Sequence, residues 1–517
     1  MGDGRDASPR PAARPARSVV AMGIPALTSH FADTFPELSV AWQAQEEPAP
    51  ELLHLDAPLA AELGLDAEWL ATDDGVRFFT GERPGPLARP VAQAYAGHQF
   101  GGYSPRLGDG RALLLGELSD AAGRLRDLHL KGSGLTPFSR PGSDGQAAVG
   151  PMLRELVVSE AMHAFGIPTT RALAVVATGR TVRRERALPG AILARVADSH
   201  LRVGTFQYAA ALVHQGQAPE DLVPRLVAES LQRHHPDRTD AGAPARALLE
   251  GVVADQASLV ARWMGVGFVH GVMNTDNVAI SGQTIDYGPC AFLDAFDPGA
   301  VFSSIDAQGR YAFGNQPQIA LWNLNRFAET LLPHLAATPD DAVTAAEDAL
   351  RGFAPAFDAA WQGVLAAKLG LERTPDSDAL AGRLLTLLAE ARADWTGFWA
   401  GLGEAAGALE DRGDDHDDDA VTSLLPATPR PDEARAWLAD WRALGPDADL
   451  MRRTNPLHIP RNRPLQEALD AAEAGDMAPV RELLAAVAEP FTPRAGCEHL
   501  TRPDTPDAGR FVTYCGT

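Results

Sequence analysis

Apolar positions recur with two different periods along this chain, and the change from one to the other divides it. Between residues 107 and 131 the pattern is strand-like, and residues 172–197 give further apolar strands. Gly108-Asp109-Gly110 marks a turn, Arg111 to Leu118 a strand, Asp120 to Gly123 a hairpin loop, and Leu125 to Lys131 a second strand. Ala172–Ala177 and Ala191–Val196 read as two more strands. Between the pairs, Leu153 to Phe165 has helical spacing and is stopped by Gly166-Ile167-Pro168. Strands around one helix predict a small α+β unit. Residues 25–90 are punctuated by Pro and Gly and read as a loop-rich entry. After about residue 205 the period becomes 3.6, predicting helices over 206–214, 219–234, 243–264, 317–335 and 341–369, with more over 433–490. One β-hairpin is expected inside this region, Val278–Ile280 and Thr284–Ile285 around Ser281-Gly282. The domain organisation that follows is a disordered arm (1–24), a strand-bearing N-lobe (25–204), a helical C-lobe (205–402), an acidic linker (403–432) and a C-terminal helical extension with a cysteine-bearing tail (433–517).

Charge narrows the function. The 517 residues carry 68 acidic and 45 basic side chains, a net charge of −23. That field repels phosphate backbones and argues against nucleic-acid partners, although one locally positive pocket can still take a nucleotide. No apolar run is long enough to span a membrane, and the N-terminus lacks a signal-peptide core. With only Cys290, Cys497 and Cys515 there is no disulfide framework, and the expected location is cytoplasmic.

Only Lys131 and Lys368 are lysines; every other basic residue is arginine. A lysine retained against that bias suggests work for a compact ammonium. Lys368 ends a helical pattern, where a cation suits the C-terminal dipole, and needs no further role. Lys131 ends an apolar strand after a glycine turn, where kinase-like folds hold nucleotide phosphates with lysine. Glu155 on the following helix is the expected partner, with Glu160 as the competing choice. The segment from Tyr95 to Gly102 and the turn Gly108-Asp109-Gly110-Arg111 are glycine-rich, as phosphate cradles require.

The segment His270-Gly271-Val272-Met273-Asn274-Thr275-Asp276-Asn277, followed by Asp286-Tyr287-Gly288, repeats the spacing of the kinase catalytic loop and its metal-binding aspartate. Asn277 and Asp286 offer oxygen ligands that suit magnesium. Val272 stands where kinases carry their catalytic aspartate, which leaves Asp276 as the carboxylate able to act as base. Arg195 and Arg202 are placed to clamp further phosphate oxygens.

These stretches together resemble the selenoprotein O family, the YdiU-like bacterial proteins once classed as pseudokinases. The resemblance rests on YAGHQFGGYSPRLGDGRA, KGSGLTPFSR, RVADSHLRVGTFQ, HGVMNTDN, IDYGP and the terminal YCGT. It implies an α+β, protein-kinase-like two-lobed fold with N- and C-terminal extensions. It also implies transfer of AMP from ATP to Ser, Thr or Tyr hydroxyls of proteins, with magnesium or alternatively manganese. By motif, Gly108, Gly110, Arg111, Lys131, Asp144, Gly145, Arg195 and Arg202 would bind ATP. Asn277 and Asp286 would hold the metal, Asp276 would accept the proton, and Glu155 would orient Lys131. Cys515 falls where eukaryotic members carry selenocysteine. Two other readings stay open: a degenerate kinase that transfers the γ-phosphate, and a non-catalytic nucleotide-binding scaffold.

Overall fold

Strand alternation sorts the side chains of one large sheet into an apolar face and a face that carries charge. The computed structural model describes residues 24–412, 424–425, 428–504, 509 and 511–514. The N-terminal arm through residue 23, the Asp414–Asp419 run and Cys515 lie outside the described residues. In chain order the strands are β1 (Ser39–Ala41), β2 (Glu51–Leu55), β3 (Val91–Gln93), β4 (Gly97–Gln99), β5 (Gly102–Ser104), β6 (Ala112–Ser119), β7 (Leu125–Lys131), β8 (Ala147–Ala148), β9 (Arg171–Arg183) and β10 (Ala187–Ala197). An antiparallel sheet runs β1-β3-β6-β7-β10-β9-β2, with β8 also paired to β10, while β4 and β5 form a separate hairpin. The fold is mixed α+β.

Leu128 and Leu130 of β7 and Ile192, Ala194 and Val196 of β10 pack with Phe78, Phe79 and Leu115 in one cluster. The alternate residues His129, Lys131 and Arg195 take the opposite face, where Arg195 stands directly across from His129 and Leu193 across from Lys131. The helix Val149–Ala164 covers this second face, with Leu153, Leu156 and Val157 in the same core as Leu114, Val175 and Leu193. Each fully buried leucine of this kind contributes about 1.5–3 kcal/mol of transfer free energy.

Helices build the rest of the chain: Val203–His214, Leu222–His234, Pro244–Gly265, Gln316–Leu331, Pro339–Arg351, Phe353–Lys368, Pro375–Ala391 and Trp395–Arg412. Beyond residue 430 come Pro431–Ala443, Ala448–Thr454, Asn462–Glu473 and Ala478–Val487, and the last two pack back against Val149–Ala164. No helix among the described residues is long and apolar enough to cross a membrane.

Four expectations change. The loop-rich entry contains the short helices Ala57–Glu62, Ala67–Leu70 and Asp73–Phe79, each started by a side-chain cap from Asp56, Asp66 or Thr72. The 341–369 pattern is two helices parted at Gly352, because Pro355 has no N–H for a carbonyl one turn earlier and is tolerated only in a first turn. The helix Trp395–Arg412 extends ten residues into the stretch read as an acidic linker.

The expected hairpin at 278–285 does not form. Its two arms pair outward instead. Val203 N–H donates to Val278 O at 2.9 Å and Ile280 N–H to Leu201 O at 2.9 Å, while Thr170 N–H donates to Thr284 O at 3.0 Å. A two-stranded ribbon is marginal alone, and these backbone groups find better partners on the segments that leave β10 and enter β9. The result ties the loop before Asp286 to the sheet at both ends.

Candidate active site

Where the sheet's charged face meets the helices, a cavity of 1210 Å³ opens. Its wall includes Gly108, Gly110, Arg111, Lys131, Asp144 and Arg195 from the sheet side, and Arg202, Asp276, Asn277 and Asp286 from the loops that follow. Gly108 has φ +137°, and a Cβ there would stand 2.5 Å from the Phe138 ring, so the turn closes only with glycine. Gly145 is not on the wall. It has φ +69° and lies against the Gly134 backbone, where it shapes the turn behind Asp144. Asp144 itself is engaged by Arg184 at 2.8 Å.

Lys131 Nζ donates to Glu155 Oε2 at 2.6 Å and to Asp286 Oδ1 at 2.7 Å. Glu155 is therefore the partner, while Glu160 faces away and meets Arg171 at 3.3 Å. Arg195 Nη1 donates to the other oxygen of Glu155 at 3.0 Å. Two cations thus balance two carboxylates. Burial opposes ionisation of Glu155, yet Lys131 and Arg195 hold its carboxyl below its usual range. For Asp286, burial is likewise overcome by Lys131, with Arg195 and Arg111 behind it, and its carboxyl lies well below the usual carboxylate range. Asp286 is also one of three non-glycine residues with positive φ among the described residues, at +67°.

Asp276 differs in kind. Burial pushes its carboxyl up to about 6, against weaker opposing effects from the Gln99 amide and Arg202. Gln99 Nε2 donates to Oδ2 at 3.2 Å, and Oδ1 is buried without a hydrogen-bond partner. The β4–β5 hairpin, read from sequence as part of a phosphate cradle, spends its N–H groups on this loop instead. His98 N–H donates to Thr275 Oγ1 at 2.7 Å and Phe100 N–H to Asn274 Oδ1 at 3.1 Å. Gly97 makes that approach possible, since a Cβ there would meet Asp276 Oδ1 at 2.7 Å.

Arg202 lies over the Tyr95 ring at 4.4 Å and donates to the Asp276 carbonyl at 3.1 Å, with its Nε buried and unpaired. A buried unpaired donor on a cavity wall is a ready partner for an anion. Asn277 commits Nδ2 to Val272 O at 3.1 Å, which leaves its amide oxygen as the atom able to ligate a cation, on the same cavity wall as Asp286. An amide oxygen and a carboxylate held well below its usual range fit a hard divalent cation. Among the described residues no cluster of three or more His, Cys, Asp or Glu could hold a metal. Such an ion would therefore complete its shell from phosphate and water.

A family model described as protein adenylyltransferase SelO matches residues 25–488. The chain belongs to the SelO family. It is 57% identical over 496 residues to a protein nucleotidyltransferase YdiU from Mycolicibacterium paratuberculosis, covering 95% of this chain and 98% of that one. A protein of the same description from Pseudarthrobacter chlorophenolicus is 54% identical, with 97% and 99% covered, and one from Cereibacter sphaeroides is 53% identical, with 92% and 96% covered.

This SelO-family chain also carries site residues that motif reading passed over. Arg195 Nε donates to His200 Nε2 at 3.3 Å, and its Nη2 faces His129 Nδ1 at 3.3 Å. A guanidinium cannot accept, so both ring nitrogens facing it must be acceptors. His129 then donates from Nε2 to Asp109 Oδ2 at 3.0 Å, and His200 from Nδ1 to Asp127 Oδ2 at 3.1 Å. The rings stack at 4.2 Å, and burial lowers the pKa of both, which keeps them neutral. The signal was the polar residue at every second position of β7, Asp127, His129 and Lys131, between buried leucines. Cys290 is buried, with its thiol pushed up to about 12 by burial, and is inert packing.

Proposed function

We propose that this chain transfers AMP from ATP to hydroxyl side chains of proteins and releases pyrophosphate, within a protein-kinase-like two-lobed frame. The observation that carries this reading is the position of the one carboxylate suited to be a base. Val272 occupies the kinase base position, and Asp276, whose carboxyl burial pushes up to about 6, lines the cavity with Asn277. A base with a pKa near the working pH is ionised and can still take a proton.

In this reading Asp276 accepts the proton of the attacking hydroxyl, whose oxygen bonds to the α-phosphorus as the bond to the β-phosphate oxygen breaks. Arg195, Arg202 and Lys131 stabilise the charge that collects on the departing pyrophosphate. Glu155 and the two histidines hold the Lys131 ammonium and the Arg195 fork in place. Magnesium, held by Asn277 and Asp286, would neutralise phosphate charge when bound. Gly108, Gly110 and Arg111 would border the nucleotide, with Asp144 at the outer wall. Ser, Thr and Tyr are the acceptor types this chemistry allows, and a cytoplasmic setting suits its need for ATP.

The test is incubation with ATP labelled separately at the α- and γ-phosphates, followed by mass spectrometry of the protein products. A mass increase of one AMP with α-label and released pyrophosphate is expected. Label arriving only from the γ-phosphate would restore the kinase alternative.

A further inference from the structure

The cavity is larger than one nucleotide requires. Small-ligand sites usually enclose about 300–1,000 Å³, and this one has 1210 Å³. Its inner wall holds the ion pairs described above. Its outer wall carries a different kind of cation: Arg106, Arg140 and Arg183 are exposed, line the cavity, and have no carboxylate partner among the described residues. The neighbouring Arg184 is neutralised by Asp144. On a chain of net charge −23, three arginines with no carboxylate partner among the described residues gather at one mouth.

One of them is tied to the chemistry. Arg140 Nη2 donates to Gln99 Oε1 at 3.2 Å, and Gln99 Nε2 donates to Asp276 Oδ2 at 3.2 Å. The Arg140 guanidinium is therefore a single side chain away from the carboxylate read as the base, at the exposed edge of the same cavity. Phe100, Ile305 and Tyr514 are exposed and line the same cavity.

We propose that this outer wall binds the acceptor polypeptide and selects hydroxyls flanked by acidic residues. The proposal rests on the AMP-transfer reading and adds the substrate class to it. The chain's overall negative field does not cancel the preference, because charges farther than about 8 Å are largely screened at physiological salt while contacts at the mouth are not. Each exposed pair is individually weak, so the selection comes from several arginines together.

The experiment uses the full chain and one peptide scaffold carrying Ser, Thr or Tyr, flanked by Asp and Glu, by Asn and Gln, or by Lys and Arg. AMP incorporation from α-labelled ATP is expected to favour the acidic set over the neutral set about ten-fold in kcat/KM, with the basic set slowest. The advantage should shrink as salt is raised. In R106Q/R140Q the acidic-to-neutral ratio should fall below about two-fold, R140K should retain it, and the Kd for ATP should stay within about two-fold. Binding of the same peptides with Ala at the acceptor position, read by fluorescence anisotropy, reports the surface without the chemistry. Equal binding of acidic and basic peptides overturns the proposal, as does loss of ATP affinity in R106Q/R140Q, which would assign these arginines to the nucleotide. Acidic binding preference with label arriving only from the γ-phosphate would leave the surface standing and defeat the AMP-transfer reading instead.

Discussion

The two lysines are both buried ammonium groups, in opposite surroundings. Lys131 has Glu155 and Asp286 within 2.7 Å and stands on a cavity wall. Lys368, the last residue of its helix, has no carboxylate partner among the described residues. Its Nζ lies 4.8 Å from the Trp399 ring centre and 5.9 Å from that of Trp395. Burial alone lowers the Lys368 pKa to about 7. The sequence expectation of an undemanding helix-end cation is thus corrected: the dipole position is right, but the side chain is enclosed by aromatics. Two buried lysines therefore meet different fates. One is bound by two carboxylates on a cavity wall, and the other is a load on the fold.

Asp286→Ala strikes the first environment hardest. It removes the carboxylate proposed to hold the metal and one of the two carboxylates that bind Lys131. Activity should fall by about 10⁴-fold or more, because metal neutralisation of phosphate charge is worth several kcal/mol. Magnesium-dependent turnover near the wild-type rate would break the assignment. Asp276→Ala should cost about 10²–10⁴ in rate, the range of a general base. Isothermal titration should find ATP affinity nearly unchanged, separating a base from a ligand. Lys131→Arg keeps the charge but cannot seat a planar fork between two carboxylates built around one nitrogen. A loss of about 10–10² in kcat/KM is expected, and wild-type kinetics would mean that the two lysines do not differ in the way argued. His200→Phe leaves Arg195 Nε without its acceptor, so the KM for ATP should rise up to about ten-fold while His200→Gln recovers part of it.

The core of this site was legible because its residues sit in short motifs whose spacing reflects local geometry. Lys131 ends a strand, and Asn277 and Asp286 flank one loop. What could not be read was whatever depends on segments far apart in the chain. Gln99 reaches Asp276 across 177 positions, and the β4–β5 hairpin looked like a phosphate cradle because glycine marks close approach without saying to what. The missing hairpin at 278–285 has the same origin, since its arms satisfy the local strand pattern but bond to distant backbone. The strands and helices with strong period were found, while the short capped helices before residue 80 were missed because each spans fewer than two turns. Lys368 was misjudged because a helix end looks exposed until Trp395 and Trp399 arrive from the next helix but one.

That misjudged lysine gives the smallest effect on activity and the clearest test of the comparison. Its folded pKa, about 7, is depressed from the ordinary lysine value of 10.5. Between those values the unfolded chain binds a proton that the folded chain has released, so folding stability rises with pH across that window. Below about 7 both states are protonated and the full cost of burying the charge applies, offset in part by the aromatic faces at about 1–2 kcal/mol. Lys368→Met fills similar volume without that cost. It should therefore be more stable than wild type by about 2–4 kcal/mol at pH 6, and the difference should shrink steadily as pH rises from 7 toward 10. Transfer activity at pH 7.5 should remain within about two-fold of wild type, since no part of the cavity wall is touched. Urea melts of the two proteins at pH 6, 8 and 9.5 measure the gap directly. A gap independent of pH would mean that Lys368 is not desolvated as described, and a less stable Lys368→Met at every pH would mean that the ammonium–tryptophan contact outweighs the burial cost. In either case the contrast between the two lysines would have to rest on Lys131 alone.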